Sequence, residues 1–194
     1  MSRVLVTAFE PYDRWDDNSS WHALVDLTRW YDGPAELTTR RYAVDLDAVS
    51  RSLRGDLQSE YDLAIHLGQS PGSATVRLED VALNLRTDGG PLLKGAPEAY
   101  RTGLPLEAAA AAMVADGIPA EVSRHAGTYL CNASLYLSRH YAATLGMPTR
   151  SVFVHLPLTP GQAARECPMP PSMSPELASR AVGGLIESLL TRRA

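Results

Sequence analysis

Cys131 lies near the end of Gly127-Thr128-Tyr129-Leu130-Cys131-Asn132, just ahead of a helical segment from Ala133 to about Ala143. Ile118 to Val122, upstream, reads as a short strand. A thiol on such a strand–loop–helix corner faces unpaired N–H groups and the positive end of a helix. Those surroundings favour the thiolate, the nucleophilic form of cysteine. The plainer reading is a small buried apolar residue, the commoner fate of a free cysteine, and position alone favours it. A nucleophilic thiol needs a base, and the base needs a group to orient it. His155 sits inside the apolar run Val152-Phe153-Val154-His155-Leu156, where a buried imidazole requires a partner. His66, within Leu63 to Gly68, is its rival. Glu79, in Leu78-Glu79-Asp80-Val81, is a carboxylate that could equally be the solvent-facing half of an edge strand. Cysteine, histidine and carboxylate together make a thiol hydrolase, but spacing along the chain does not bring them together.

The elements that must position these residues alternate between strand and helix. Val4 to Ala8, Leu37 to Val44, Leu63 to Gly68 and Val152 to Leu156 read as strands. Val76 to Leu85 reads as one extended segment, and Thr87 to Ala99, rich in Gly and Pro, as loop. Helices are expected after Ser19 or Ser20, after Asp45 as far as about Gly55, over Leu106 to Ala115, and after Ser174 to the end of the apolar stripe at Leu190. Ala163 to Pro175 reads as a proline-rich passage. Strands alternating with helices give an α/β layered fold. With no internal repeat and no linker, residues 1–194 are read as one domain.

Composition narrows the function classes. An apolar share of 45% and a charged share of 21% are those of an ordinary globular chain. A net charge of −4 gives no reason to expect nucleic acid or an anionic membrane as partner. Two cysteines, Cys131 and Cys167, form no disulfide framework and fit a reducing compartment. No apolar run is long enough to span a bilayer, and the chain enters a strand directly after Met1-Ser2-Arg3, so the expected location is the cytoplasm. The glycine-rich nucleotide loops, His-Glu-x-x-His and Cys-x-x-Cys are all absent.

Five blocks in collinear order carry more information than any single residue. They are Val4 to Tyr12, Gly68-Gln69, Val76 to Asn84, Gly127 to Asn132, and Phe153-Val154-His155-Leu156-Pro157. Together they resemble the pyroglutamyl peptidase I family, cysteine peptidases that remove an N-terminal pyroglutamate. Pro171-Ser172-Met173-Ser174 and the final helix are similar to that family's C-terminus. The resemblance places the family's catalytic glutamate, cysteine and histidine on Glu79, Cys131 and His155. It implies a three-layer α/β/α sandwich around a twisted mixed sheet, assembly as dimers or tetramers, and no metal or organic cofactor. The implied substrate is a small peptide or amide with an N-terminal lactam. The implied ring pocket consists of the aromatics Phe9 and Tyr12, backbone near Gln69, and Tyr129 and Leu130 just before the cysteine, with Asn18 supporting the aromatic loop. His66 matches a strand position where some members also carry histidine, and is read as structural.

The departures from the family pattern fall on the pocket and its rim. Ala8 replaces a glycine, Tyr12 and Tyr129 replace phenylalanines, Arg77 replaces a serine or threonine, and the loop over Arg86 to Gly95 is shortened. Asp80 replaces a cation, which reverses the charge beside Glu79 unless Arg77 or Arg86 compensates. Two other readings follow: the same three residues acting on a different small amide or lactam, or a catalytically silent binding protein.

Overall fold

The computed structural model describes residues 1–191. The chain runs β1 (Ser2–Phe9), α1 (Ser19–Trp30), β2 (Ala35–Tyr42), α2 (Leu46–Leu57), β3 (Leu63–Gln69), β4 (Val76–Glu79), β5 (Val81–Leu83) and β6 (Ala99–Arg101). It continues with α3 (Leu106–Ala115), β7 (Ala120–Ser123), α4 (Leu130–Thr144), β8 (Arg150–Leu156), α5 (Pro160–Ala163) and α6 (Pro175–Thr191). Six strands form one mixed sheet in the order β2-β1-β3-β8-β4-β7. All neighbours are parallel except β4 and β8, which run antiparallel.

Alternation along the strands divides the core in two. Val4, Val6, Ile65, Leu67, Val152 and Val154 face α1, α3 and α6. Leu5, Phe9, Ala64 and Phe153 face α2 and α4. The sheet is therefore covered on both sides, which is why its central strands read as continuous apolar runs. His155 shares the parity of Phe153 and so points towards α4.

Several expected boundaries move. The extended segment over Val76 to Leu85 is broken at Asp80: β4 stays in the large sheet, while β5 leaves it to pair antiparallel with β6. Asp80 causes the break. Its N–H donates to the Ser123 carbonyl at 2.8 Å, its carbonyl accepts from Thr102 N–H at 2.9 Å, and its carboxylate takes Arg101 and Thr102. The expected loop over Thr87 to Ala99 consequently ends in a strand. The Leu37 to Val44 strand lies two residues earlier, at Ala35–Tyr42. The 118–122 strand is Ala120–Ser123, and the helix after Asp45 overruns Gly55 to Leu57. The cap of α1 is Asn18, not Ser19 or Ser20: its side chain accepts from Ser20 N–H and donates to the Glu10 carbonyl at 3.1 Å. The proline-rich passage is preceded by the short α5, capped by Thr159. Ser174 caps α6 as expected, its hydroxyl accepting from Leu177 N–H. No helix among the described residues is long and apolar enough to cross a membrane.

Candidate active site

Cys131 occupies the second position of α4, inside the first turn, because this helix starts at Leu130 and not at Ala133. Its N-cap, Tyr129, contributes no side-chain hydrogen bond, and the first turn carries no acidic residue. The leading N–H groups and the positive helix end therefore stay open beside the thiol. What fixes the turn is Asn132, which is fully buried. Its Oδ1 accepts from Leu83 N–H at 2.8 Å, and its Nδ2 donates to the carbonyls of Leu83 at 2.9 Å and Leu85 at 3.2 Å. A side-chain amide thus ties the nucleophile's helix to β5, two residues beyond Glu79 in the chain.

Glu79 and His155 meet across the antiparallel β4–β8 pair, on the α4 side of the sheet. Glu79 Oε1 lies 2.8 Å from His155 Nδ1, with the glutamate side chain 1% and the histidine 12% exposed. Glu79 Oε2 is buried without a hydrogen-bond partner among the described residues, so the imidazole is what holds this carboxylate. Burial disfavours the imidazolium of His155. The charge and hydrogen bond of Cys131, together with the hydrogen bond and charge of Glu79, outweigh it and push His155 up to about 9. Cysteine and carboxylate thus both act on one imidazole, so that the ring can take a thiol proton and hold it.

Close approach of these groups depends on Gly68, which pairs with His155 in the β3–β8 register. A Cβ there would lie 2.5 Å from Phe153 Cζ and 3.1 Å from Cys131 Sγ. The glycine at the end of β3 is required by packing against the nucleophile, not by an unusual φ.

Beside the thiol lies a cavity of about 160 Å³, lined by Phe9, Tyr12, Asn18, Gln69, Leu130 and Cys131 with Val44 and Tyr129 at its edge. Drug-sized pockets measure about 300–1,000 Å³, so this one suits a single small ring. Leu130 is buried, whereas Tyr129 is 54% exposed and forms the rim rather than a wall. Tyr12 is held protonated, its phenol pushed up to about 12 by burial, then by the charges of Cys131, Asp13 and Tyr129. Val44 is a lining residue that the sequence did not single out. It lies two residues past the end of β2 and carries no signal beyond its apolar character.

Asp80 does not turn towards Glu79. Its carboxylate is bound by Arg101 and by Thr102 Oγ1 at 2.9 Å, while Arg77 pairs with Glu121 and Arg86 with Asp88, each at 3.0 Å. The compensating cation is therefore Arg101, 21 residues away, and neither Arg77 nor Arg86. His66 is fully buried on β3, with Nδ1 2.9 Å from Thr7 Oγ1, and burial lowers its pKa to about 3. Cys167 is exposed in the proline-rich passage. Among the described residues, no group of three or more His, Cys, Asp or Glu side chains could hold a metal ion.

Comparison with known proteins identifies relatives of the whole chain. A family model described as pyroglutamyl peptidase matches residues 2–192. The pyrrolidone-carboxylate peptidase of Pyrococcus furiosus is 34% identical over 97% of this chain and 98% of its own length. That of Clavibacter michiganensis is 37% identical over 84% and 82%. The pyrrolidone carboxyl peptidase structure from the keratin-degrading bacterium Fervidobacterium islandicum superposes with a TM-score of 0.92 at 33% identity, covering 98% of this chain and 99% of that one.

Proposed function

The chain belongs to the pyroglutamyl peptidase family, and from that footing we propose that it removes an N-terminal pyroglutamyl group from peptides or amides through a Cys131 thioester. The Cys131 thiolate, its proton already held by His155, attacks the carbonyl that joins the lactam residue to its neighbour. The open N–H groups of the first turn of α4 stabilise the oxyanion of the tetrahedral intermediate. His155 then protonates the departing amine, and the C–N bond breaks to leave the acyl-enzyme. Water, deprotonated by the same imidazole, attacks the thioester; pyroglutamate leaves and the thiol is regenerated. Glu79 keeps the ring oriented and favours its cationic form.

The observation that carries this reading is the Glu79–His155 contact at 2.8 Å, with Cys131 near enough to raise the same imidazole's pKa and a ring-sized cavity beside the thiol. Phe9, Tyr12 and Leu130 supply apolar walls for an uncharged lactam, Asn18 fixes the loop that carries the aromatics, and Gln69 supplies a polar contact. No cofactor enters any step. Two unpaired cysteines fit a reducing, cytoplasmic setting, and assembly as a dimer or tetramer can be read from sedimentation.

The test is hydrolysis of a chromogenic pyroglutamyl amide beside its prolyl and glutamyl analogues. The proposal expects turnover of the first alone, abolished in Cys131→Ala. Turnover persisting in that variant eliminates the thiol mechanism. Inertness towards all three substrates, with Cys131 still alkylated rapidly, points to another small amide or lactam, a direction in which the Tyr12 hydroxyl would act.

A further inference from the structure

One row of paired residues runs across the sheet beneath the nucleophile. Gly68 on β3 pairs with His155 on β8, His155 with Arg77 on β4, and Arg77 with Glu121 on β7. Residues directly opposite one another project from the same face of a sheet. A Cβ placed on Gly68 would lie 3.1 Å from Cys131 Sγ, so the whole row faces the thiol and α4. On the other flank of β3, the ring cavity takes Phe9 from the end of β1 and Val44 from beyond β2. The acyl side of the thiol is therefore occupied. The amine that His155 protonates departs over β8, in the direction of β4 and β7.

Arg77 has a guanidinium edge to spare. Its Nε donates to Glu121 Oε1 at 3.0 Å, and the same oxygen accepts from Thr75 Oγ1 at 2.9 Å. These hydrogen bonds, that of Thr75 before that of Arg77, hold the Glu121 carboxyl below its usual range, so the pair stays ionised. Nη1 and Nη2 of Arg77 donate to no group among the described residues, and the side chain is 42% exposed. The free end of the fork has the planar, two-donor geometry that a carboxylate takes up. Neighbouring strands lie about 4.8 Å apart, and a residue carries its carboxylate about 3.5 Å beyond its nitrogen. The carboxylate of a single leaving residue therefore falls above β4, within reach of the long Arg77 side chain. In a longer peptide a neutral peptide bond takes that place.

We propose that Arg77 determines specificity on the leaving-group side, its Nη1 and Nη2 binding the free carboxylate of a one-residue leaving group. The substrate class is then a pyroglutamyl dipeptide. This inference rests on the pyroglutamyl reading of the site and names what stands beyond the scissile bond. Glu121 holds the Nε edge and offsets the charge that an unaccompanied arginine would set beside the imidazolium of His155. A half-exposed ion pair contributes little, and a bidentate one stands at the top of that range, worth about 5-fold in affinity.

Pyroglutamyl-alanine and pyroglutamyl-alaninamide differ at neutral pH by one charge and almost nothing in shape. The measurement is the ratio of their kcat/KM values, read from release of alanine or alaninamide. Wild type is expected to favour the acid about 5-fold, chiefly through KM, because the contact is made in bound substrate and transition state alike. The ratio should decline as salt is raised towards about 1 M, where an exposed pair is screened. Arg77→Gln should bring the ratio to about 1, and Arg77→Glu should invert it. Arg77→Lys, which keeps the cation without the fork, should fall between wild type and Arg77→Gln. A wild-type ratio of 1 or below, or a ratio that Arg77→Gln leaves at its wild-type value, would overturn this inference alone. Hydrolysis of both compounds would meanwhile uphold the functional reading. Inertness of wild type towards both, and towards the chromogenic pyroglutamyl amide, would overturn that reading and this inference with it.

Discussion

Gly68→Ala tests how tightly the sheet holds the reacting groups. The new methyl would stand 2.5 and 2.8 Å from Phe153 Cζ and Cε1, and 3.1 Å from Cys131 Sγ. Carbon atoms in contact sit about 3.5–4.0 Å apart, so the Phe153 ring must withdraw by about 1 Å. It has nowhere to go at low cost. Phe153 is fully buried, with ring centroids 6.5 Å from Phe9 and 4.8 Å from His155. The displacement therefore passes to a wall of the ring cavity and to the general base, while the methyl also crowds the nucleophile. Overpacking of this kind costs about 1–3 kcal/mol, which in a chain of this length lowers Tm by about 2–12 °C. Misplacing reacting groups by about 1 Å costs about 100-fold in rate. Thermal unfolding, kcat and KM on a pyroglutamyl amide, and the rate of alkylation by iodoacetamide measure the three consequences separately. A variant with lowered Tm but wild-type kcat/KM and alkylation would show that the strain relaxes away from the thiol. Unchanged values for all three would refute the packing argument outright.

Glu79→Gln should keep the shape and lose the charge, reducing kcat by about 10²–10⁴-fold. It should also shift the alkaline limb of the pH–rate profile to lower pH, because one of the groups raising His155 is gone; an unmoved limb would sever Glu79 from the base. His66 gives a separate acid sensitivity. Its folded pKa of about 3 lies below the unfolded 6.5, so the unfolded chain takes the proton first and stability falls as pH drops from 6.5 towards 3. At pH 5 the loss is roughly 2 kcal/mol, and His66→Gln should flatten that part of a Tm-against-pH curve; a curve of unchanged slope would refute the burial argument. Asn132→Ala removes three hydrogen bonds and leaves the Leu83 and Leu85 backbone groups short of partners, for a loss of about 2–4 kcal/mol in denaturant melts. Alkylation of Cys131 should slow in the same variant, and an unaltered rate would show that the first turn of α4 holds itself.

The layered order of strands and helices was legible because it is written locally, in apolar runs and breakers. The three chemical residues were legible as types, and collinear blocks supplied the pairing that spacing could not. What escaped depended on distant partners. Nothing near Asp80 announces Arg101, so a break between two sheets reads as one strand. Asn18, Ser19 and Ser20 are all good caps, and only the Glu10 carbonyl, across the aromatic loop, selects the first. The start of α4 at Leu130 carries no capping side chain, since the residue that fixes it, Asn132, bonds outward to β5.

The Asn132 clamp bears on engineering. Glu79, the β5 backbone and the Cys131 turn form one mechanical unit built from two stretches of chain, closed by a single side-chain amide. Grafting Cys131, His155 and Glu79 alone onto another scaffold would carry over the reagents without the fixture that sets their spacing. A transplant should instead move residues 79–85 and 129–133 as a pair, with His155 supplied by the strand they straddle.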